Sequence, residues 1–141
     1  MKSELISMVS MALLCLVPAA AGQAVADPSY VNQNQTDPRP VGLAGVAGNI
    51  HDPGGLSFVR ASISLFTEQD HTLVATVESD KSGHFSFAKI KPGLYRVVAK
   101  VEGLCPANIP VKIESFSPVH RKMQIIMQPK GLDTCSYAIV K

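Results

Sequence analysis

The chain has 141 residues, a formal net charge of +2 at pH 7 and a hydrophobic fraction of 46%. This length fits one domain and excludes a large two-domain enzyme. The high aliphatic content and the small net charge exclude disorder over the whole length. Because neutralisation of phosphates needs a cluster of Lys and Arg, we also expect no nucleic-acid partner.

Residues 1–26 have the pattern of a secretory signal peptide. A positive charge at Lys2 precedes an apolar stretch over residues 6–17, and the A-x-A cleavage pattern follows at residues 19–21 and again at 24–26. The apolar stretch is shorter than the roughly 18 residues that a membrane-spanning helix needs, which disfavours a transmembrane anchor. We therefore predict cleavage at the second pattern, a secreted, periplasmic or cell-envelope location, and no transmembrane segment in the mature chain.

Cleavage after residue 26 removes Cys15 and leaves two cysteines, Cys105 and Cys135. In an exported domain, two cysteines are most simply explained by one disulfide. Such a bond closes a loop of about 30 residues and contributes roughly 3 to 4 kcal/mol in the chain-entropy description. Two buried thiols are the alternative. The chain has no C-x-x-C pair, so redox catalysis has no support in the sequence.

Residues 27–42 are rich in Pro, Asn and Gln, and we predict a disordered leader there. From residue 43 onward the hydrophobic pattern has a period of two, as a sheet with one buried face requires. No segment shows a long helical period, so the pattern predicts an all-β sandwich over residues 43–129. Its seven strands are expected around residues 43–51, 61–65, 72–78, 84–87, 95–102, 108–114 and 122–128.

Turn residues separate these segments. In the run from Asp80 to Gly83, the Asp side chain can cap the turn and the Gly can adopt a positive φ. Pro92-Gly93 has the order of a type II turn. Pro110 removes a hydrogen-bond donor inside the sixth strand, which predicts an edge strand or a bulge there. Lys112 and Glu114 on the same strand are typical of a protected edge.

Three spaced motifs follow one another: Gly48-x-Ile50-x-Asp52-x-x-Gly55, Asp80-x-x-Gly83-x-Phe85-x-Phe87 and Ile90-x-Pro92-Gly93-x-Tyr95-x-Val97. Together they resemble the carboxypeptidase regulatory-like domain, a transthyretin-like Greek-key β-sandwich grouped with carbohydrate-binding-like folds. The resemblance covers roughly residues 43–128. It implies a non-catalytic accessory module of exported and cell-envelope proteins. It also implies structural roles for the motif residues, which are Gly48, Asp52, Gly55, Asp80, Gly83, Phe85, Phe87, Pro92, Gly93 and Tyr95.

On this arrangement, the predicted disulfide would tie the C-terminal tail, residues 130–141, back to the sandwich. Residues 136–140 are candidates for a short extra strand in that tail.

Residue types that carry catalysis do not fall into a recognisable pattern. A zinc site needs about four converging ligands, often at tight spacing, and the histidines lie at strand ends or on outward faces. No G-x-S-x-G elbow occurs, and the carboxylates fall in loops and on polar faces. We therefore predict no catalytic residue, no metal and no cofactor. The four histidines are His51, His71, His84 and His120.

The sequence thus predicts a structural or protein-interaction module of the cell envelope, with a weak carbohydrate-binding module as the alternative. Sugars stack on exposed aromatic rings, and the chain has no Trp. Phe58, Phe66 and Tyr137 are the candidate platform for a ligand, while packing of Phe58 and Phe66 at the ends of the core is the competing interpretation. Protein binding at a sheet edge is equally open. The predicted partner is therefore an envelope protein or a glycan.

Overall fold

The computed structural model describes residues 40–115, 122–131 and 135–141. These residues form β-strands and contain no helix. The predicted signal peptide, and all but the last three residues of the predicted leader, lie outside the described residues. The described residues contain nine strands, which are β1 (Val41–Leu43), β2 (Ala47–His51), β3 (Ser62–Thr67), β4 (Leu73–Glu78), β5 (His84–Ser86), β6 (Gly93–Lys100), β7 (Ala107–Ile113), β8 (Met123–Ile126) and β9 (Tyr137–Val140).

The strands form two sheets that pack face to face. One sheet has the order β1-β7-β6-β3-β4, and the other has the order β5-β2-β8-β9. Two pairs are parallel, β1 with β7 and β2 with β8. The buried core takes Ile63 and Val97 from the first sheet and Ile50 and Ile125 from the second. The prediction of an all-β sandwich is confirmed, while the expected number of seven strands is wrong.

The expected first strand, over residues 43–51, is two strands in two different sheets. β1 pairs with β7 in the five-stranded sheet, and β2 pairs with β5 and β8 in the four-stranded sheet. The chain changes sheets at Ala44 and Gly45, and the flanking Leu43 and Val46 are both buried in the core. Because the alternation of apolar and polar residues records only which way side chains point, it does not reveal a change of sheet.

A further strand lies in the C-terminal tail. β9 occupies four of the five residues expected for it and pairs with β8 in antiparallel register, from Met123 opposite Val140 to Ile126 opposite Tyr137. β9 therefore forms one edge of the four-stranded sheet.

The expectation that Pro110 marks an edge strand is wrong. β7 lies between β1 and β6, because the short β1 includes Val41 and Gly42 from the end of the predicted leader. β1 pairs only with Val111–Ile113, and Pro110 lies one residue before this paired segment. The absence of a backbone N–H group at Pro110 therefore interrupts no hydrogen bond to β1. Lys112 and Glu114 form an exposed ion pair, with Nζ 3.0 Å from Oε1, rather than protecting a free edge.

A register shift occurs instead where β3 meets β4. Leu65 lies opposite Ala75 and Phe66 lies opposite Leu73, so Val74 has no partner on β3. This β-bulge turns Val74 out of the regular alternation, and its side chain is exposed.

The two strands β2 and β8 approach so closely that only glycine fits at one position. Gly48 lies opposite Met123, and a Cβ atom at Gly48 would be 1.9 Å from the Met123 carbonyl oxygen. No shift of a side chain relieves this contact, because the obstructing atom belongs to the backbone.

We therefore expect Gly48→Ala to lower the free energy of unfolding by about 1–3 kcal/mol, as overpacking does. Gly45→Ala is the matched control, because a Cβ at Gly45 meets no atom within 4 Å. Its effect should stay within about 0.5 kcal/mol. Urea unfolding of both variants measures the difference, and equal stabilities would contradict the close approach.

Candidate functional site

The turn between β4 and β5 is built around one carboxylate. Asp80 Oδ1 accepts hydrogen bonds from the backbone N–H groups of Ser82, at 2.8 Å, and His84, at 3.0 Å. These two donors hold the pKa of the Asp80 carboxyl below its ordinary value of 3.8. Gly83 has φ 72°, and a Cβ there would lie 2.5 Å from the Ile50 carbonyl oxygen. The motif therefore serves turn geometry and contact with β2.

The turn after β2 uses the same arrangement. Asp52 Oδ1 accepts a hydrogen bond of 2.8 Å from the Leu56 N–H, and the Asp52 carbonyl accepts one of 3.0 Å from the Gly55 N–H. Gly55 has φ 89°, in the region that favours glycine. The Asp52 carboxylate therefore also stabilises a turn.

The aromatic motif residues belong to the core and its margin. Phe85 and Phe87 are buried, with ring centroids 6.5 Å apart and ring planes at 77°, an edge-to-face contact. Tyr95 is partly buried against the core, and its hydroxyl donates a 2.9 Å hydrogen bond to the Lys91 carbonyl. That bond closes the turn through Pro92 and Gly93, which leads directly into β6.

The three candidate platform residues lie in three different places. Phe66 is only 1% exposed on β3, so its assignment to a ligand platform is wrong. Phe58 lies in the loop between β2 and β3 and packs, partly buried, against the core. Tyr137 lies on β9 and is 37% exposed. Phe66 lies opposite Arg96 on the outward face of the five-stranded sheet and is nevertheless buried.

A partly buried ion pair, which no sequence motif indicates, lies on the outward face of the five-stranded sheet, and its Glu68 side chain is 33% exposed. Arg96 alternates along β6 with Tyr95 and Val97, which pack in or against the core, yet its own side chain is only 8% exposed. Its Nε and Nη2 atoms each donate a 2.6 Å hydrogen bond to the carboxylate of Glu68, and Nη1 donates to Asn108 Oδ1 at 3.2 Å. Glu68 follows β3, so this pair holds the β3–β4 loop on the sheet. Nothing in the local pattern around Arg96 marks it as buried.

That loop lines a cleft of about 600 Å³ at one end of the sandwich. The Glu68 N–H donates a 3.1 Å hydrogen bond to the Leu94 carbonyl, which joins the loop to β6. Thr67 and Thr72 donate hydrogen bonds to Asp70 and hold its pKa below the ordinary 3.8. Both carboxylates of the cleft are thus engaged, Asp70 within the loop and Glu68 with Arg96 of β6. The lining residues are Thr67, Glu68, Gln69, Asp70, Gly93, Leu94 and Tyr95.

The outward face of the four-stranded sheet is a second surface. Strand register places His84, Asn49, Gln124 and Ile139 in one row across four strands. A second row across β2, β8 and β9 holds His51, Ile126 and Tyr137. Apart from Ile126, these side chains are half-buried or exposed.

Potential metal ligands do not converge in the described residues. No group of three His, Cys, Asp or Glu side chains within them lies close enough to hold a metal ion. His51 Nδ1 lies 2.7 Å from the carbonyl oxygen of Asp52, and His120 lies outside the described residues. In the same part of the chain, no helix has the length and apolar character to cross a membrane.

A disulfide joins Cys105 and Cys135, as the cysteine count predicts. The two Cα atoms are 5.5 Å apart. Next to the bond, Ser136 Oγ donates a hydrogen bond to the Cys105 carbonyl and accepts one of 2.8 Å from the Gln128 N–H. The start of β9 is therefore held both covalently and by hydrogen bonds.

The Carboxypeptidase regulatory-like domain is the family whose model matches the chain, over residues 45–125. No curated protein matches it. The matched segment covers more than half of the chain and includes all three turn motifs. It excludes β1, β9 and Cys135, so the disulfide joins the family segment to a tail beyond it.

We expect Glu68→Ala to lower the free energy of unfolding by about 1–3 kcal/mol, because it leaves the Arg96 guanidinium buried without its carboxylate. Glu114→Ala is the control, because its ion pair with Lys112 has side chains 46% and 56% exposed. Such pairs contribute less than about 1 kcal/mol. Chemical unfolding of both variants measures the two losses, and a loss for Glu68→Ala no larger than the control's would contradict the role of the partly buried pair.

The lowered pKa of Asp80 predicts a pH dependence of stability. Because the folded pKa is depressed, the contribution of the carboxylate is present above the unfolded value of 3.8 and is lost as pH falls through the folded pKa. Asp80→Ala should therefore have a lower free energy of unfolding than the wild type at neutral pH. The difference between the two proteins should become smaller in acid. Unfolding midpoints across pH measure it, with exposed Lys81→Ala as control. A gap that does not depend on pH would refute the assigned role.

Proposed function

The chain belongs to the carboxypeptidase regulatory-like domain family, and on that premise we propose that it is an exported, non-catalytic module with a structural or protein-interaction role in the cell envelope. The family's fold is a non-catalytic, regulatory β-sandwich. The motif residues of this chain support the same interpretation, because they build turns and core.

The Cys105–Cys135 disulfide is the observation that carries the proposal of export. Disulfides form and persist in oxidising compartments and are rare in the cytosol. This one secures the C-terminal strand, which supports a structural use of the bond. The signal-peptide pattern of residues 1–26 supports export independently.

The distribution of polar groups supports an interaction role. Asp52 and Asp80 bind backbone N–H groups in turns, and Glu68 binds Arg96. Among the described residues, the side chains of Asn49 and Gln124 make no hydrogen bond within the chain, and both lie on the outward face of the four-stranded sheet. Recognition of a partner by such surfaces is a use that a rigid sandwich supports well.

Expression of the full chain with its own N-terminus, followed by cell fractionation and mass measurement, tests the proposal. We expect residues 27–141 in the envelope fraction, with a mass that rises by two hydrogens on reduction. Leu14→Arg is the control, because a charge in the apolar stretch should block targeting and leave the full-length chain inside the cell.

Two results would overturn the proposal. Recovery of the unprocessed chain in the cytoplasm with two free thiols would refute export. Recovery of the processed chain entirely in the soluble fraction, without association with the envelope, would refute the envelope role.

A further inference from the structure

The edge strand β9 is held most firmly at its beginning. Cys135, two residues before β9, is bonded to Cys105, and Ser136 Oγ donates to the Cys105 carbonyl and accepts from the Gln128 N–H. Beyond these contacts, β9 pairs with β8 over four residues. Because so short a pairing is only marginally stable by itself, the attachment at its beginning matters for the whole strand.

The side chains of β9 add little packing. Ala138 and Val140 point inward and are only partly buried against the core. Tyr137 and Ile139, which alternate with them, point outward and are 37% and 41% exposed. None of the four side chains is therefore enclosed by the core.

The far end of the strand pair carries two like charges. Lys122 and Lys141 lie opposite each other, joined by two backbone hydrogen bonds of 3.1 and 3.3 Å, and both residues are exposed. Like charges in directly opposite positions destabilise an antiparallel pair. Once the beginning of β9 is released, its other end is therefore weakly held.

The core of the four-stranded sheet does not come from β9. Its fully buried side chains Ile50, Met123 and Ile125 belong to β2 and β8. The segment that the family model matches ends at residue 125, before β9 and Cys135. Loss of β9 would therefore uncover the edge of β8, which has no charged residue to protect it, and would leave the core in place.

The disulfide is accessible from the side of Cys135. Cys105 is buried, whereas Cys135 is partly exposed. A cleft of about 420 Å³ opens beside Cys105, lined by its chain neighbours Leu104 and Pro106 and by Lys130. Positive charge favours the thiolate form of cysteine, which is the form that attacks and leaves in thiol–disulfide exchange. An incoming thiol therefore has space beside the bond and meets the sulfur of Cys135 first.

We propose that the Cys105–Cys135 bond is a redox-sensitive latch, which a dithiol reductant opens to release β9 while the sandwich stays folded. This device lies within the domain and goes beyond the proposed export and envelope role. A thiolate of the reductant attacks Sγ of Cys135, and the electron pair of the S–S bond leaves on Sγ of Cys105, which takes up a proton.

The second thiol of the reductant then attacks the reductant's own sulfur in the mixed disulfide. Cys135 leaves as a thiolate and is protonated. The protein thus gains two electrons and two protons, and the reductant is oxidised to a disulfide.

Hydrogen exchange of the oxidised protein, residues 27–141, before and after addition of dithiothreitol tests the proposal by NMR. We expect the free-thiol content to rise from zero to two. The amides of Ile139 and Lys141, which bond to β8, should exchange about tenfold faster or more. The amides within β6 and β7 should keep their rates. Cys105→Ser/Cys135→Ser is the control, because it should show the fast exchange of β9 without dithiothreitol and should not respond to it.

Three results would overturn the proposal. A bond that dithiothreitol leaves intact in the folded protein would show that no thiol reaches Cys135. Two free thiols with unchanged exchange in β9 would show that the bond does not hold the strand. Equal acceleration in every strand would show that the bond stabilises the whole sandwich. The reduced wild type decides among these results even if the double variant does not fold, because its bond is broken after folding.

Discussion

The parallel pairing of β2 with β8 joins the beginning of the sandwich to its end. The four-stranded sheet depends on it, because β5 attaches to the free side of β2 and β9 to the free side of β8. The approach leaves no space for a Cβ atom at Gly48, so the position is committed to glycine by packing against backbone. The contacts span most of the domain in sequence, and closing so long a loop costs conformational entropy. The disulfide stabilises the same sheet at its edge, because it joins Cys135, just before β9, to Cys105 between β6 and β7.

The two sheets use their outward faces differently. On the five-stranded sheet, Phe66 and Val98 are 1% and 2% exposed, and Arg96 is bound to Glu68 and Asn108. Most of the polar groups described there have their partners within the chain. On the four-stranded sheet, Asn49 and Gln124 have no such partners among the described residues. A ligand can gain hydrogen bonds only from groups that are still available, which is why the second face supports recognition better.

The Asp and Gly residues of the sequence motifs in this chain determine the geometry of turns. Asp52 and Asp80 both use a side-chain oxygen to satisfy backbone N–H groups that a tight turn leaves unpaired. Gly55 and Gly83 supply the positive φ that completes these turns. The family model matches a segment that contains all three motifs. Similarity in the motifs therefore indicates the fold without indicating a ligand.

The sequence by itself determined the strands, from the alternation of apolar and polar residues, and the turns, from Asp and Gly. It also indicated the disulfide between Cys105 and Cys135. Only the tertiary structure decided the division of residues 43–51 between two sheets, the interior place of β7 and the burial of Phe66 and Arg96. It also brought Asn49 and Gln124 together, which no spacing in the chain indicates. The physical reason is that a side chain's direction follows from its own strand, whereas its neighbours and its exposure depend on strands distant in sequence.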